Sequence, residues 1–113
     1  MSWRAHGMRT WLLQRLTAVY MLLYLIGFGV VVLRLPSLDF TLWRHLFVSP
    51  AANISTGLFF FSILFHAWIG VRDILIDYVQ WSSIRYLLWV VITLGLIALG
   101  LWVSMILYSV VVL

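Results

Sequence analysis

The chain has 113 residues, 65% of them apolar and 9% charged, and seven arginines against three aspartates give a net charge of +4. An ordinary soluble domain carries roughly a quarter charged residues, and a small fold leaves much of its area in water. This composition therefore excludes a soluble fold and makes lipid the solvent for most of the chain. The absence of cysteine excludes disulfides, thiolate metal sites and iron–sulfur ligation. The arginines stand singly at the ends of apolar runs, which is a membrane-topology pattern and not a nucleic-acid surface.

The first apolar run, Leu16 to Leu33, is eighteen uncharged residues. At about 1.5 Å per residue it covers nearly a bilayer core, and the preceding Trp11 to Arg15 completes the span. It is too long for the apolar core of a secretory signal, so a retained helix over about 11–34 is expected. Pro36 and the polar mix around Asp39 end it, and a loop holding Pro36, Ser37, Asp39, Arg44 and His45 is expected next. Pro50 suits the first turn of a second helix, because its missing N–H is one of the orphans there. That helix is expected over about 51–78, and a third over 84–112 after a short turn. The third run exceeds what a bilayer needs, so it tilts or projects. The expectation is an all-α membrane unit of three spans in one domain, residues 1–113.

Orientation follows from the arginines. Arg4, Arg9 and Arg15 precede the first span and Arg72 and Arg85 flank the second turn, against Arg34 and Arg44 on the other side. Five against two puts the N-terminus in the cytoplasm and the C-terminus opposite. Trp11, Trp43, Trp81, Tyr86 and Tyr108 sit near span ends, as interfacial belts do.

Polar groups inside a span are costly and mark function by default. On the second helix Ser55, Ser62, His66, Gly70, Asp73 and Asp77 fall close to one line. His66 lies well inside the hydrocarbon. One ring nitrogen on a metal and the other N–H on a carbonyl would satisfy it, and Gly70, one turn on, leaves room for a flat macrocycle. A hydrogen bond to a neighbouring helix explains a lone histidine at least as well. A proton relay has little support, since no carboxylate lies at the same depth. His6 and His45 do not join His66, so a bis-histidine haem would need its second ligand from another polypeptide. Asp73 reads as interfacial polarity. Asp77 pairs Arg72 or Arg85 in the bland reading, with Tyr78 as a headgroup anchor; in the alternative, Tyr78 donates to a quinone carbonyl and Asp77 tunes it. Arg15 is a snorkelling topology residue or the partner of an anionic group such as a haem propionate. Phe59, Phe60, Phe61, Trp89 and Trp102 read as lipid-facing or packing residues, and Gly95, Ala98 and Gly100 as a weak small-residue contact.

The segment Phe61-Ser62-Ile63-Leu64-Phe65-His66-Ala67-Trp68-Ile69-Gly70, followed by Asp77-Tyr78, resembles the small hydrophobic membrane anchor of bacterial succinate dehydrogenase, the cytochrome b556 type found in respiratory complex II. Arg15-Leu16-Thr17-Ala18 is similar to that family's approach to its first span, and the likeness covers essentially the whole chain in length and span placement. The resemblance implies a three-helix anchor packed with a second three-helix anchor, with haem b held between them. It implies His66 as one axial ligand to the haem iron, Tyr78 and its neighbour Asp77 at the ubiquinone, and Arg15 near the haem propionates and quinone pocket. The partners it implies are the larger cytochrome b anchor, an iron–sulfur subunit and a flavoprotein, in the bacterial inner membrane. As an isolated chain such an anchor is a non-catalytic part of an oxidoreductase. The competing class is a non-redox assembly or transport subunit that uses His66 and Asp77 for packing or proton transfer.

Overall fold

The computed structural model describes residues 3–112, and side chains from Gly7 onward. The side chains of Arg4 and His6 therefore lie outside the described residues. In lipid every backbone N–H and C=O must be satisfied within its own segment, which leaves helices as the solution for separate spans. Four helices follow: α1 (Trp3–Arg34), α2 (Phe40–Val48), α3 (Pro50–Tyr78) and α4 (Ser82–Val112). Three of them, over Gly7–Arg34, Pro50–Tyr78 and Ser82–Val112, are long and apolar enough to cross a membrane. The protein is an all-helical, multi-pass membrane bundle with extents of 53 × 25 × 24 Å.

The span ends follow local chemistry. Pro50 opens α3 in its first turn, where no N–H is needed. The Val79 N–H closes α3 on the Leu75 carbonyl, and the turn to α4 is only 79–81. The segment expected as loop is different: residues 40–48 form α2. Asp39 caps it, accepting from the Leu42 N–H at 2.8 Å and from the Ser37 hydroxyl at 2.9 Å. These bonds hold the Asp39 carboxyl below its ordinary value, the Leu42 backbone bond contributing most. The first helix also starts earlier than expected, at Trp3.

The central helix is α3, which packs against α1 on one side and α4 on the other, while among the described residues α1 and α4 do not pack on each other. This bundle has almost no interior of its own: Ile69 and Leu75 are the buried apolar side chains and Thr56 the buried polar one among the described residues. At the end away from the α3–α4 turn, aromatic rings knit α1, α2 and α3. Tyr24 stacks on Phe59 at 4.3 Å, and Phe28 meets Trp43 and Phe47. Asn53 ties α2, α3 and α4 by donating to the Phe47 and Leu107 carbonyls, both at 3.0 Å. On the α4 side Trp68 donates to the Thr93 hydroxyl at 3.0 Å and stacks on Trp89 at 4.9 Å. Of the small residues singled out on α4, Gly100 makes the close approach: a Cβ there would stand 3.2 Å from Leu64 Cδ1, whereas one at Gly95 would meet nothing within 4 Å.

Candidate functional site

His66 and Gly70 of the polar line of α3, with Thr56, face α1. Tyr20 donates to the Ser55 carbonyl at 2.8 Å, and the Tyr24 hydroxyl meets the Thr56 hydroxyl at 2.6 Å. Thr56 passes its own proton to the Ala52 carbonyl at 2.7 Å, so Tyr24 is the donor in that pair. About three turns along α3, His66 Nδ1 lies 3.1 Å from Thr17 Oγ1. One turn further, the Gln14 side-chain amide covers Gly70, its Nε2 being 3.8 Å from where a Cβ would stand. The seam is therefore polar throughout on the α1 side, through Gln14, Thr17, Tyr20 and Tyr24. These residues lie three or four apart, the spacing that lines one helix face.

His66 is half-buried in the span. Its Nδ1 is engaged by Thr17 and its Nε2 has no partner among the described residues. The expected carbonyl partner for the second nitrogen is thus replaced by a hydroxyl. A half-buried imidazole with one nitrogen held and one free has the donor set of a single axial ligand. Among the described residues no group of three or more histidine, cysteine, aspartate or glutamate side chains converges on a metal. Within this chain Gly70 is not required by packing, because a Cβ at 3.8 Å from Gln14 is an ordinary contact. The Gln14 Oε1 is buried without a hydrogen-bond partner, a polar atom that an apolar helix contact alone leaves unexplained.

Asp77 and Tyr78 end α3 and are both exposed, Tyr78 to 79%. The ion pair formed here is Arg72 with Asp73 at 3.8 Å. Asp77 joins neither Arg72 nor Arg85, whose guanidinium instead donates to the Val79 carbonyl at 3.5 Å. The phenol and carboxylate at the end of α3 are therefore uncommitted among the described residues. A cleft of about 490 Å³ lined by Arg72, Ser82, Arg85, Tyr86 and Trp89 opens nearby on the α3–α4 side, away from His66. Arg15 lies on the outer face of α1, its guanidinium 4.8 Å over the Trp11 ring, and does not reach the α1–α3 seam. The structure thus brings His66 together with Thr17 and aligns it with Gly70. It sets Asp77 and Tyr78 three turns away, roughly 16 Å along the axis.

Sequence reasoning from α3 alone missed Gln14, Thr17, Tyr20 and Tyr24. The signal was available: polar side chains recurring every three or four residues from Gln14 into the first apolar run. Residues 1–111 match the family of succinate dehydrogenase/fumarate reductase transmembrane subunits. The chain is also similar to the succinate dehydrogenase hydrophobic membrane anchor subunit of Coxiella burnetii (strain RSA 493 / Nine Mile phase I), with 35% identity over 96 residues, covering 85% of this chain and 84% of that protein. A polar, half-buried histidine seam on a three-span bundle and a match along nearly the whole chain agree, and the chain belongs to the succinate dehydrogenase/fumarate reductase transmembrane subunit family.

Proposed function

We propose that this chain is the small, cytochrome b556 type anchor of a succinate:ubiquinone oxidoreductase, in which His66 supplies one axial ligand to a haem b shared with a larger anchor subunit. The observation that carries the reading is the half-committed ring of His66: Nδ1 is held by Thr17 at 3.1 Å and Nε2 has no partner among the described residues. Among the described residues His66 is the histidine on this seam, and the second ligand is assigned to the partner anchor. Haem, when bound, supplies one-electron redox chemistry within the bilayer. In this reading His66 would hold the iron, and Gly70, one turn on along the same face, adds no side-chain bulk beside it. Arg15, at the level of Gln14 on the outer face of α1, is the group proposed for a propionate or for the rim of the quinone pocket.

The quinone is proposed at the other end of the same stretch. The electrons would be supplied by an iron–sulfur cluster of a soluble partner; the Tyr78 O–H would donate to a quinone carbonyl and help deliver a proton, with Asp77 beside it to polarise the phenol or take up a proton. Both side chains are exposed and uncommitted, which suits contact with a ligand or partner. The chain itself is a non-catalytic anchor of the complex. The five arginines at the ends of α1, α3 and α4 support a cytoplasmic position for this end and for the N-terminus, in the bacterial inner membrane. Purification from native membranes tests the assignment. The expected result is copurification with a flavoprotein and an iron–sulfur protein, a b-type spectrum and succinate-dependent ubiquinone reduction. A colourless preparation without those partners would favour the non-redox assembly or transport reading.

A further inference from the structure

We infer that Thr17 is a positioning residue that fixes the tautomer of His66, keeping the proton on Nδ1 so that Nε2 presents its lone pair outward. The inference rests on the reading of His66 as an axial ligand. A threonine hydroxyl has one proton to give and two lone pairs. Thr17 Oγ1 lies 2.8 Å from the Leu13 carbonyl, 3.0 Å from the Gln14 carbonyl and 3.1 Å from His66 Nδ1. The nearest of these, Leu13 O, is the carbonyl one turn back, to which a helical threonine donates by default. With its proton committed to the backbone, the oxygen meets Nδ1 with a lone pair, and the contact is a hydrogen bond only if Nδ1 carries the proton. The neutral imidazole has a single N–H, so Nε2 is left as the basic nitrogen.

The opposite arrangement, with Thr17 donating to Nδ1, puts the ring proton on Nε2 and removes the lone pair a metal needs. It also gives up the shorter backbone bond for the longer contact. Within the span no water replaces a lost partner, and no other acceptor contacts Nδ1 among the described residues. Thr17 therefore acts from α1 on a ligand carried by α3. The Tyr20–Ser55 and Tyr24–Thr56 bonds hold the same seam, so the ring orientation depends on how these two helices dock. An acceptor on the distal N–H makes the ligating nitrogen a better electron donor, which favours the oxidised metal.

The test uses the assembled complex with Thr17→Val, which keeps the shape and removes the hydroxyl, and Thr17→Ser, which keeps the hydroxyl. Haem transfer to an excess of a haem-scavenging apoprotein and the haem midpoint potential are measured for each. Thr17→Val should lose haem about 10–100-fold faster and show a raised potential, while Thr17→Ser matches the wild type in both. Wild-type behaviour of Thr17→Val in both readouts overturns the positioning role and leaves ligation by His66 standing. A complex that keeps its bis-histidine spectrum when His66 is replaced overturns both. If Thr17→Val fails to assemble, the wild-type complex with ¹⁵N-histidine in this chain and its haem reduced gives the tautomer directly. A protonated, hydrogen-bonded Nδ1 is expected, and an unprotonated Nδ1 would contradict the inference.

Discussion

His66 and Tyr78 share one helix, and the environment of each separates their roles. His66 is half-buried and tied to α1, whereas Tyr78 is at the helix end with its phenol free. In the proposed complex Tyr78→Phe removes the quinone donor and nothing else. Quinone reduction should fall on the order of 100-fold or more while the haem spectrum is unchanged, and normal turnover would discard the assigned role. At this scale the sequence was informative where a residue is anomalous by itself. A histidine in hydrocarbon announces itself. A threonine there does not, because it can satisfy its hydroxyl on its own helix, and its approach to a ring 49 residues away arises only when α1 docks on α3. The same holds for Asp77. Its expected pairing with Arg72 overlooks helix rotation, which sets residues five apart about 140° from each other, and Arg72 pairs with its chain neighbour Asp73 instead.

Among the elements, the three spans were legible as long uncharged runs, because length and apolarity alone decide that a segment lies in lipid. α2 was hidden for the converse reason. Its nine residues include Arg44 and His45 and sit between prolines, so composition resembles a loop while the Asp39 cap and the packing of Phe47 and Trp43 on Phe28 organise it. Asp39→Ala should fray α2 and raise amide hydrogen exchange at its first turn, with α1 and α3 unaffected. The Asp39 carboxyl is held below its ordinary value by the Leu42 and Ser37 bonds. A lowered acid stabilises the folded state above its unfolded-state pKa and ceases to do so as pH falls through the folded value. The cap should therefore persist at neutral pH and weaken on the acid side of the normal carboxylate range, as exchange measured against pH would reveal. On the other seam, Gly100 takes Leu64 Cδ1 and Phe61 Cε1 against its backbone. Gly100→Leu should overpack this contact at a cost of about 1–3 kcal/mol, read as a lower unfolding temperature of the complex in detergent. An unchanged unfolding temperature would mean that α3 and α4 do not hold this approach.

For the whole molecule, a single helix, α3, carries both candidate sites and packs against each of the other three helices, and the bundle buries few of its own side chains. Such a molecule finds its missing neighbours in lipid and in other subunits, which is the role of an anchor. The native chain has no cysteine, so its topology is directly testable. With Ser37→Cys and Ser83→Cys variants, a membrane-impermeant thiol reagent applied outside intact spheroplasts should label position 37 and spare position 83. The reverse labelling would invert the orientation drawn from the arginines.

The central claim is that His66 ligates a haem iron held jointly with a partner. It is tested most directly by purifying the complex with His66→Tyr and recording its reduced-minus-oxidised absorption spectrum and haem redox titration. The account predicts that the bis-histidine b-type signature is lost or replaced while the subunits remain assembled. An unchanged spectrum and midpoint potential in the assembled variant would contradict it.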